Sequence, residues 1–401
     1  TKFQMIDTKI FNNTKDAFIL KTKKDLNRSL FIFRAMNIPF LVPVGIFFTK
    51  LSLKFNLPVE WLIRKTIFEQ FCSGETLKDS MPIVKQMYDK NVRSVLDYSV
   101  EGKETDEEFD KTTQTKIDIV KYASDHIEIP FAVAKPTGLG RFEIWQKVSE
   151  EQELTSEEQK EWQRVKERFD KICKTANEHD TDLLVDAEES WMQNAADDLC
   201  EEMMAKYNKK RAIIYNTLQC YRWDRLAYVK KMHNRAQEGG YKLGFKIVRG
   251  AYMEKENNRA LKMGYQSPIC EDKEATDVNF NTVMSYCIEN IEDMAVFIGT
   301  HNEVSTYMAI QLMSQKGIDL DDHRIWFGQL YGMSDHISFN IGKECSNAIK
   351  LLPFGPIKDV IPYLMRRAQE NSSVQGQTGR ELGLLIEEKK RREGQFIKRI
   401  E

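Results

Sequence analysis

FKIVRGA at Phe245–Ala251 is a short apolar run that closes on a cation and a glycine, with amphipathic chain on either side. A run of this length and character is a candidate buried strand. Seven more have the same form: VRSVLDYSV at Val92–Val100, IPFAVAKPT at Ile129–Thr137, TDLLVDAE at Thr181–Glu188, AIIYNTLQCY at Ala212–Tyr221, AVFIGTHN at Ala295–Asn302, RIWFGQL at Arg324–Leu330 and IKLLPFG at Ile349–Gly355. Enough chain for a crossover helix separates each neighbouring pair, as in Asp197–Lys206 and Glu303–Gly317. Eight strand-helix units in about 280 residues predict an α/β fold, a closed (β/α)8 TIM-like barrel, rather than an open doubly wound sheet. No GxGxxG follows the first run. KPTGLG at Lys135–Gly140 has two of the glycines and follows the second, which makes a weak phosphate loop.

Around the barrel the chain divides into three expected parts: an N-terminal helical arm (1–85), the barrel (86–376) and a charged C-terminal helix (377–401). With 401 residues, 41% hydrophobic, the chain can bury a large core. Its 59 basic and 61 acidic residues nearly cancel, so no net field favours nucleic acid. Seven scattered cysteines without a CxxC suggest a reducing compartment, and without an HExxH or a Cys/His cluster no metal site is expected. The chain begins at Thr1, so the sequence determines localisation weakly. IPFLVPVGIFF at Ile38–Phe48 is about half the length that spans a bilayer and holds two prolines; core packing is expected of it, with a membrane-surface contact as the second reading. Arg141–Glu178 reads as a helical hairpin outside the barrel, with Trp162, Val165, Phe169 and Ile172 as its apolar stripe and Thr155 with Glu158 as a capping box. Leu382, Leu385 and Ile386 suggest partial docking of the terminal helix, whose Lys389–Arg392 run is a weak candidate for anionic lipid.

In a parallel barrel, the polar residues at the carboxyl ends of the strands build the site. Here they are Lys135, Asp186, Glu188, Gln219, Lys246, Arg249, Thr300, His301, Asn302 and Gln329. Each has an ordinary explanation: Asp186 or Glu188 as a helix cap, Gln219 in a turn, His301 as a satisfied core histidine. As a set they are costly to bury without partners or a ligand.

YLMRRAQEN at Tyr363–Asn371 follows the last run. Ile357, Val360, Ile361, Leu364 and Ala368 form one helical face, expected to be core, while Tyr363, Arg366, Arg367 and Glu370 project from the other. A solvated face with an ordinary ion pair is one reading. The other is a fork of two guanidinium groups, steadied by one carboxylate and suited to a small carboxylate ligand. Lys135, Lys246, Arg249, Arg366 and Arg367 outnumber Asp186, Glu188 and Glu370. That balance implies an anionic cofactor with a small carboxylate substrate.

The motifs FAVAKPTGLG, LLVDAEES, NTLQCYRW, FKIVRGAY, EATDVNFN, GTHN, FGQLYGM and LLPFGPIKDVIPYLMRRAQENSS, in this order between about Trp61 and Arg392, resemble the flavin-dependent proline dehydrogenase family, hydroxyproline dehydrogenases included. The resemblance implies a distorted (β/α)8 barrel that binds FAD without a Rossmann domain and oxidises L-proline to Δ1-pyrroline-5-carboxylate in proline catabolism. It implies electron transfer to quinone, peripheral contact with a membrane, and a cytoplasmic or mitochondrial-matrix location. Residue by residue, it assigns the substrate carboxylate to Arg366 and Arg367 with Glu370 behind them, the substrate amine to Lys135 and Asp186, and the ring pocket to Tyr252 and Leu330. For FAD it suggests Gln219, Lys246, Val248 through its backbone, Arg249, Gly250, Ala251, Thr276, Thr300, His301 and Asn302. Two departures stand out. Many bacterial members read RxVKGAY, so Lys246 and Arg249 exchange the two cations. Leu351 stands where many proline-specific members have tyrosine, which makes trans-4-hydroxy-L-proline an alternative substrate. Readings from other classes are a flavin-free lyase or aldolase with Lys135 as a Schiff-base lysine and a catalytically silent scaffold.

Overall fold

The computed structural model describes residues 8–38, 40–55, 58–98, 104–373 and 377–397. In chain order, α1 (Lys23–Met36), α2 (Leu41–Lys54) and α3 (Leu77–Tyr88) precede β1 (Val92–Tyr98). Then come α4 (Asp106–Ser124), β2 (Phe131–Ala134), α5 (Phe142–Ser149), α6 (Ser156–Glu178), β3 (Asp182–Val185), α7 (Ser190–Tyr207), β4 (Ile214–Gln219) and α8 (Arg225–Gly239). The remainder is β5 (Leu243–Val248), α9 (Met253–Met263), α10 (Lys273–Glu289), β6 (Met294–Gly299), α11 (Glu303–Lys316), β7 (Ile325–Leu330), α12 (Asp335–Glu344), β8 (Ala348–Phe354), α13 (Ile357–Ser373) and α14 (Gln377–Ile397). The strands close into a barrel in chain order, as the eight apolar runs predict. Residues 99–100 of the first run, Pro39 of the N-terminal apolar run and residues 398–401 of the terminal helix lie outside the described residues.

Contacts divide the chain into two compact units, one holding Gly102–Gly328 and the other joining Asp7–Glu101 to Gln329–Glu401. In the first, covered strands turn large side chains inward. Phe131 meets Tyr215, Phe297 and Trp326 edge to face, with centroids 5.3–5.5 Å apart. A Cβ at Gly328 would lie 2.2 Å from the Phe297 ring, so only glycine leaves room for this cluster. The expected hairpin is α5 with α6. Thr155 and Glu158 form the capping box, Val165, Phe169 and Ile172 are buried, and Trp145 meets Trp162 edge to face at 5.1 Å.

In the second unit, Phe18, Leu26, Leu30, Phe33 and Phe71 pack with Ile357, Val360, Ile361 and Leu364 of α13 and with Leu384 and Leu385 of α14. The apolar face expected of α13 is therefore core, but Tyr363 joins it, only 6% exposed, instead of projecting with the arginines. Helix α14 is docked, and its Arg391 and Arg392 both hold the fully buried Glu388. Arg392 also donates to the carbonyls of Phe18 and Lys21, so these two arginines are committed to protein rather than displayed to lipid. Core packing of the Ile38–Phe48 run forms only in part. Val42 is buried and Ile46 packs on the core, while Phe40, Val44, Phe47 and Phe48 are exposed. The run is long enough to turn one face inward and leaves the other outside.

Lys350 is fully buried on β8, where its ammonium donates to the carbonyls of Leu330 and Met333 and meets Asp335 at 2.7 Å. The contact ties the start of α12 to β8. Lys350→Met leaves Asp335 facing Lys21 at 3.3 Å and removes both carbonyls' donor. We expect a loss of about 3 kcal/mol of stability, read as a lower urea midpoint. A change below about 1 kcal/mol would show that the buried pair does not hold these elements together.

Candidate active site

Within the Gly102–Gly328 unit, the carboxyl ends of β2 to β6 carry the expected polar set. Lys246, 7% exposed on β5, reaches Asp186 just beyond β3 at 2.6 Å. A buried ammonium requires such a counter-charge. Gln219 ends β4 and is 3% exposed, and its Oε1 has no hydrogen-bond partner among the described residues. An amide oxygen left alone costs about 1–3 kcal/mol, so this one is suited to a ligand N–H. Beyond β5 the backbone is held against β4: the Cys220 and Tyr221 N–H groups donate to the Val248 and Arg249 carbonyls, each at 2.7 Å. Gly250 follows at φ 138°, where a Cβ would come within 2.5 Å of the Tyr221 ring. Only glycine permits this turn. It leaves Gly250 and Ala251 exposed beside Arg249 and the half-buried Tyr252.

Arg249 is fixed at three points. Its Nε donates to Asp277 at 2.7 Å, and its terminal nitrogens donate to Thr300 Oγ1 at 2.8 Å and Ser305 Oγ at 3.0 Å. The guanidinium carbon lies 4.4 Å from the Phe280 ring centroid. Guanidinium has five N–H donors, so this grip orients the plane without exhausting it. Thr300 also accepts from the Asn302 N–H at 3.1 Å, and the Asn302 side chain caps α11 by accepting from the Ser305 N–H at 2.9 Å. Thr276 is buried in the first turn of α10 and donates to the Asp272 carbonyl at 3.0 Å. His301 is half-buried beside Thr300. Thr300 and Asn302 thus have clear structural work, positioning Arg249 and starting a helix.

Lys135 follows β2, and the adjoining loop is tied down by Glu188, which accepts from the Thr137 N–H at 3.0 Å and hydroxyl at 2.6 Å. KPTGLG therefore turns this N–H toward a carboxylate, not a phosphate. Burial pushes the Glu188 carboxyl up to about 7, and Glu189 adds to that, while the Thr137 donors and Lys135 pull the other way. A raised carboxyl stabilises the fold fully below its unfolded value and loses that contribution as pH rises through the folded one. Asp182, raised by burial to about 7 against the pull of Arg211, has the same sign. Wild-type melting temperature should fall from about pH 4.5 to 7.5 more steeply than that of Glu188→Gln, in which Asp182 and the other raised carboxyls still contribute. Parallel profiles would show that Glu188 does not titrate there.

In the other unit, Arg367 and Glu370 pair bidentately at 2.7 and 2.8 Å, one turn apart on α13. The Arg367 guanidinium lies 5.4 Å from the Tyr363 ring centroid. Burial raises the Glu370 carboxyl, while Arg367 and Arg366 draw it down. Arg367 Nε and the Tyr363 hydroxyl are both buried without a hydrogen-bond partner among the described residues. A carboxylate is the natural acceptor for two such donors. Tyr363 is the residue the sequence reading left without a role. The signal was its place three and four residues before the arginine pair. Leu351 is 8% exposed on β8, opposite Val95 of β1, and its carbonyl accepts from the Tyr331 N–H at 2.9 Å. Leu330 packs partly buried against the core.

A model of the proline dehydrogenase family matches residues 81–380, most of the chain. The chain belongs to the proline dehydrogenase family. It is 32% identical over 322 residues to the carbapenem antibiotics biosynthesis protein CarD of Pectobacterium carotovorum subsp. carotovorum, a match covering 80% of this chain and 83% of that one. It is 30% identical over 432 residues to the mitochondrial proline dehydrogenase 1 of Dictyostelium discoideum, covering 96% and 76%. Among solved structures, proline utilization A from Bdellovibrio bacteriovorus, inactivated by N-propargylglycine, superposes with a TM-score of 0.68 at 18% identity over 91% of this chain. At that identity the likeness is one of fold, and this member of the proline dehydrogenase family spans 39% of the larger chain.

Proposed function

We propose that this chain oxidises L-proline to Δ1-pyrroline-5-carboxylate, with FAD as the cofactor and a quinone as the final acceptor. Family membership supports the reaction class. The observation that carries the substrate reading is the pair of partnerless buried donors, Tyr363 Oη and the Nε of Arg367, the arginine that Glu370 braces. We assign the substrate carboxylate to Arg366 and Arg367, with Glu370 holding Arg367 in plane and Tyr363 adding its hydroxyl.

FAD suits the residues of the first unit. The partnerless Gln219 Oε1 can take an N–H from a flavin ring, and the three-point grip on Arg249 presents a fixed cation suited to a pyrophosphate. Lys246, Val248, Gly250, Ala251, Thr276, Thr300, His301 and Asn302 complete the proposed contacts, Thr300 and Asn302 acting through the Arg249 and α11 positions already described. Bound FAD would supply the hydride acceptor. Loss of hydride from the carbon beside nitrogen needs the nitrogen lone pair, so the substrate amine must first be neutral. We assign that proton to Asp186 and Lys135, with Lys246 fixing the Asp186 carboxylate from the other side. Tyr252, Leu330 and Leu351 are the proposed lining of the ring pocket, and 86–376 the catalytic part of the chain.

Trans-4-hydroxy-L-proline is the second substrate reading, because Leu351 offers the ring an apolar wall with no hydrogen-bond donor. Quinone is apolar, which brings a membrane and a location on the cytoplasmic or matrix face into the proposal. A Lys135 lyase and a silent scaffold gain nothing from membership in this family.

Arg366→Met and Arg367→Met should each raise KM for proline by roughly 10- to 100-fold, the equivalent of about 1.5–3 kcal/mol for one charge-assisted contact. Steady-state rates with a water-soluble electron acceptor test this. Unchanged KM in both variants would remove the carboxylate assignment. With the same assay, Leu351→Tyr should shift the ratio of kcat/KM values toward proline over hydroxyproline, and an unaltered ratio would place Leu351 away from the ring.

A further inference from the structure

Strand β1 carries a carboxylate, Asp97, to which no role has been assigned. In the β1–β8 register Val95 stands opposite Leu351 and Asp97 opposite Pro353. Side chains alternate along a strand, so Asp97, Val95 and Leu351 share one face, with Asp97 about 7 Å nearer the carboxyl end than Val95. Lys350 tells which face this is. It meets Asp335 of α12 on the helix-covered side, so its neighbour Leu351, and Val95 and Asp97 with it, turn to the barrel interior. Asp97 is only 9% exposed there. A carboxylate is costly to bury in such a place.

The Asp97 charge is felt by two neighbours. The Ser73 N–H donates to the Pro353 carbonyl at 2.9 Å, which brings the preceding residue, Cys72, to the end of β8 where Pro353 faces Asp97. Burial pushes the Cys72 thiol up to about 12, and Asp97 adds to the rise. Burial also raises the Tyr363 hydroxyl, where the Arg367 charge opposes the rise and the Asp97 charge adds to it. Tyr363, whose ring centroid lies 5.4 Å from the Arg367 guanidinium, therefore senses a cation and an anion together. A plain carboxylate needs only the cation. A zwitterion is oriented by both, because its ammonium is drawn toward the anion while its carboxylate is drawn to the guanidinium.

We propose that Asp97 is a specificity-determining residue, whose negative charge on the Leu351 face of the barrel orients the ammonium end of the substrate and selects an amino acid over a plain carboxylate. This role rests on the assignment of the substrate carboxylate to Arg366 and Arg367. Asp186 and Lys135 keep the amine proton. Asp97 acts before that step, on the zwitterion as it binds.

Two ligands separate the charges. Cyclopentanecarboxylate has a ring of proline's size and the carboxylate alone; its α-amino derivative adds an ammonium and has no hydrogen on the carbon that would be oxidised, so neither turns over. Titrated calorimetrically into the full chain with FAD added, the zwitterion should bind wild type more tightly than the anion. In Asp97→Asn the anion should bind roughly three- to tenfold more tightly and the zwitterion roughly three- to tenfold more weakly. Asp97→Ser, which removes the charge with a smaller side chain, should repeat this pair of opposite shifts. Tyr363→Phe supplies the contrast, since it removes a donor that both ligands use and should weaken both. Shifts of the same sign in the Asp97 variants, or none, overturn the proposal, because an aspartate with a merely structural role cannot strengthen one ligand while weakening the other. Wild type that binds the anion as tightly as the zwitterion overturns it without recourse to a variant. The underlying reading fails differently. Wild type that binds neither ligand removes the carboxylate site, and this role with it, whereas wild type that binds both but leaves L-proline unoxidised contradicts the reaction alone.

Discussion

A strand in a closed parallel barrel has no solvent face, and every charge placed on it must find its counter-charge nearby. Two buried lysines illustrate the constraint, in separate units. Lys246 on β5 reaches Asp186 beyond β3, and Lys350 on β8 reaches Asp335 at the start of α12. The two pairs serve different ends. The first fixes ionisable groups at strand ends, where the proposed chemistry needs a carboxylate of settled position. The second joins the 330–335 turn and α12 to β8, the strand that carries Leu351.

Satisfied and unsatisfied atoms tell complementary stories. Arg249 spends its donors on Asp277, Thr300 and Ser305 and becomes a rigid cation. Gln219 Oε1, Arg367 Nε and Tyr363 Oη remain buried without partners among the described residues. Each such atom costs stability unless something else binds it. The acceptor is of the polarity that the proposed flavin N–H would need, and the two donors are of the polarity that the proposed substrate carboxylate would need.

The barrel was legible because all eight strands are covered, and covered strands appear as apolar runs whatever their neighbours do. The α13 core face and the α5–α6 capping box were legible for similarly local reasons, a repeat near 3.6 residues and a Thr155/Glu158 spacing. What local pattern cannot give is the direction in which an element docks. Tyr363 lies on the polar side of α13 by periodicity, yet its ring is large enough to be drawn into the core edge under Arg367. Helix α2 is apolar on nearly all sides, so hydropathy alone pointed inward, and only packing reveals which half is covered. Glu188 looked like a cap for the next helix but instead accepts both Thr137 donors from across the strand ends. Lys350 left no mark in the sequence reading because its counter-charge is 15 residues away on another element.

The assignment of flavin-dependent proline oxidation meets its most direct test in the visible absorption spectrum of the purified protein, reconstituted with FAD where necessary and kept anaerobic. A flavin spectrum that bleaches on addition of L-proline is the expected result. A protein that binds no flavin even with added FAD, or a bound flavin that neither L-proline nor trans-4-hydroxy-L-proline bleaches, would contradict the account.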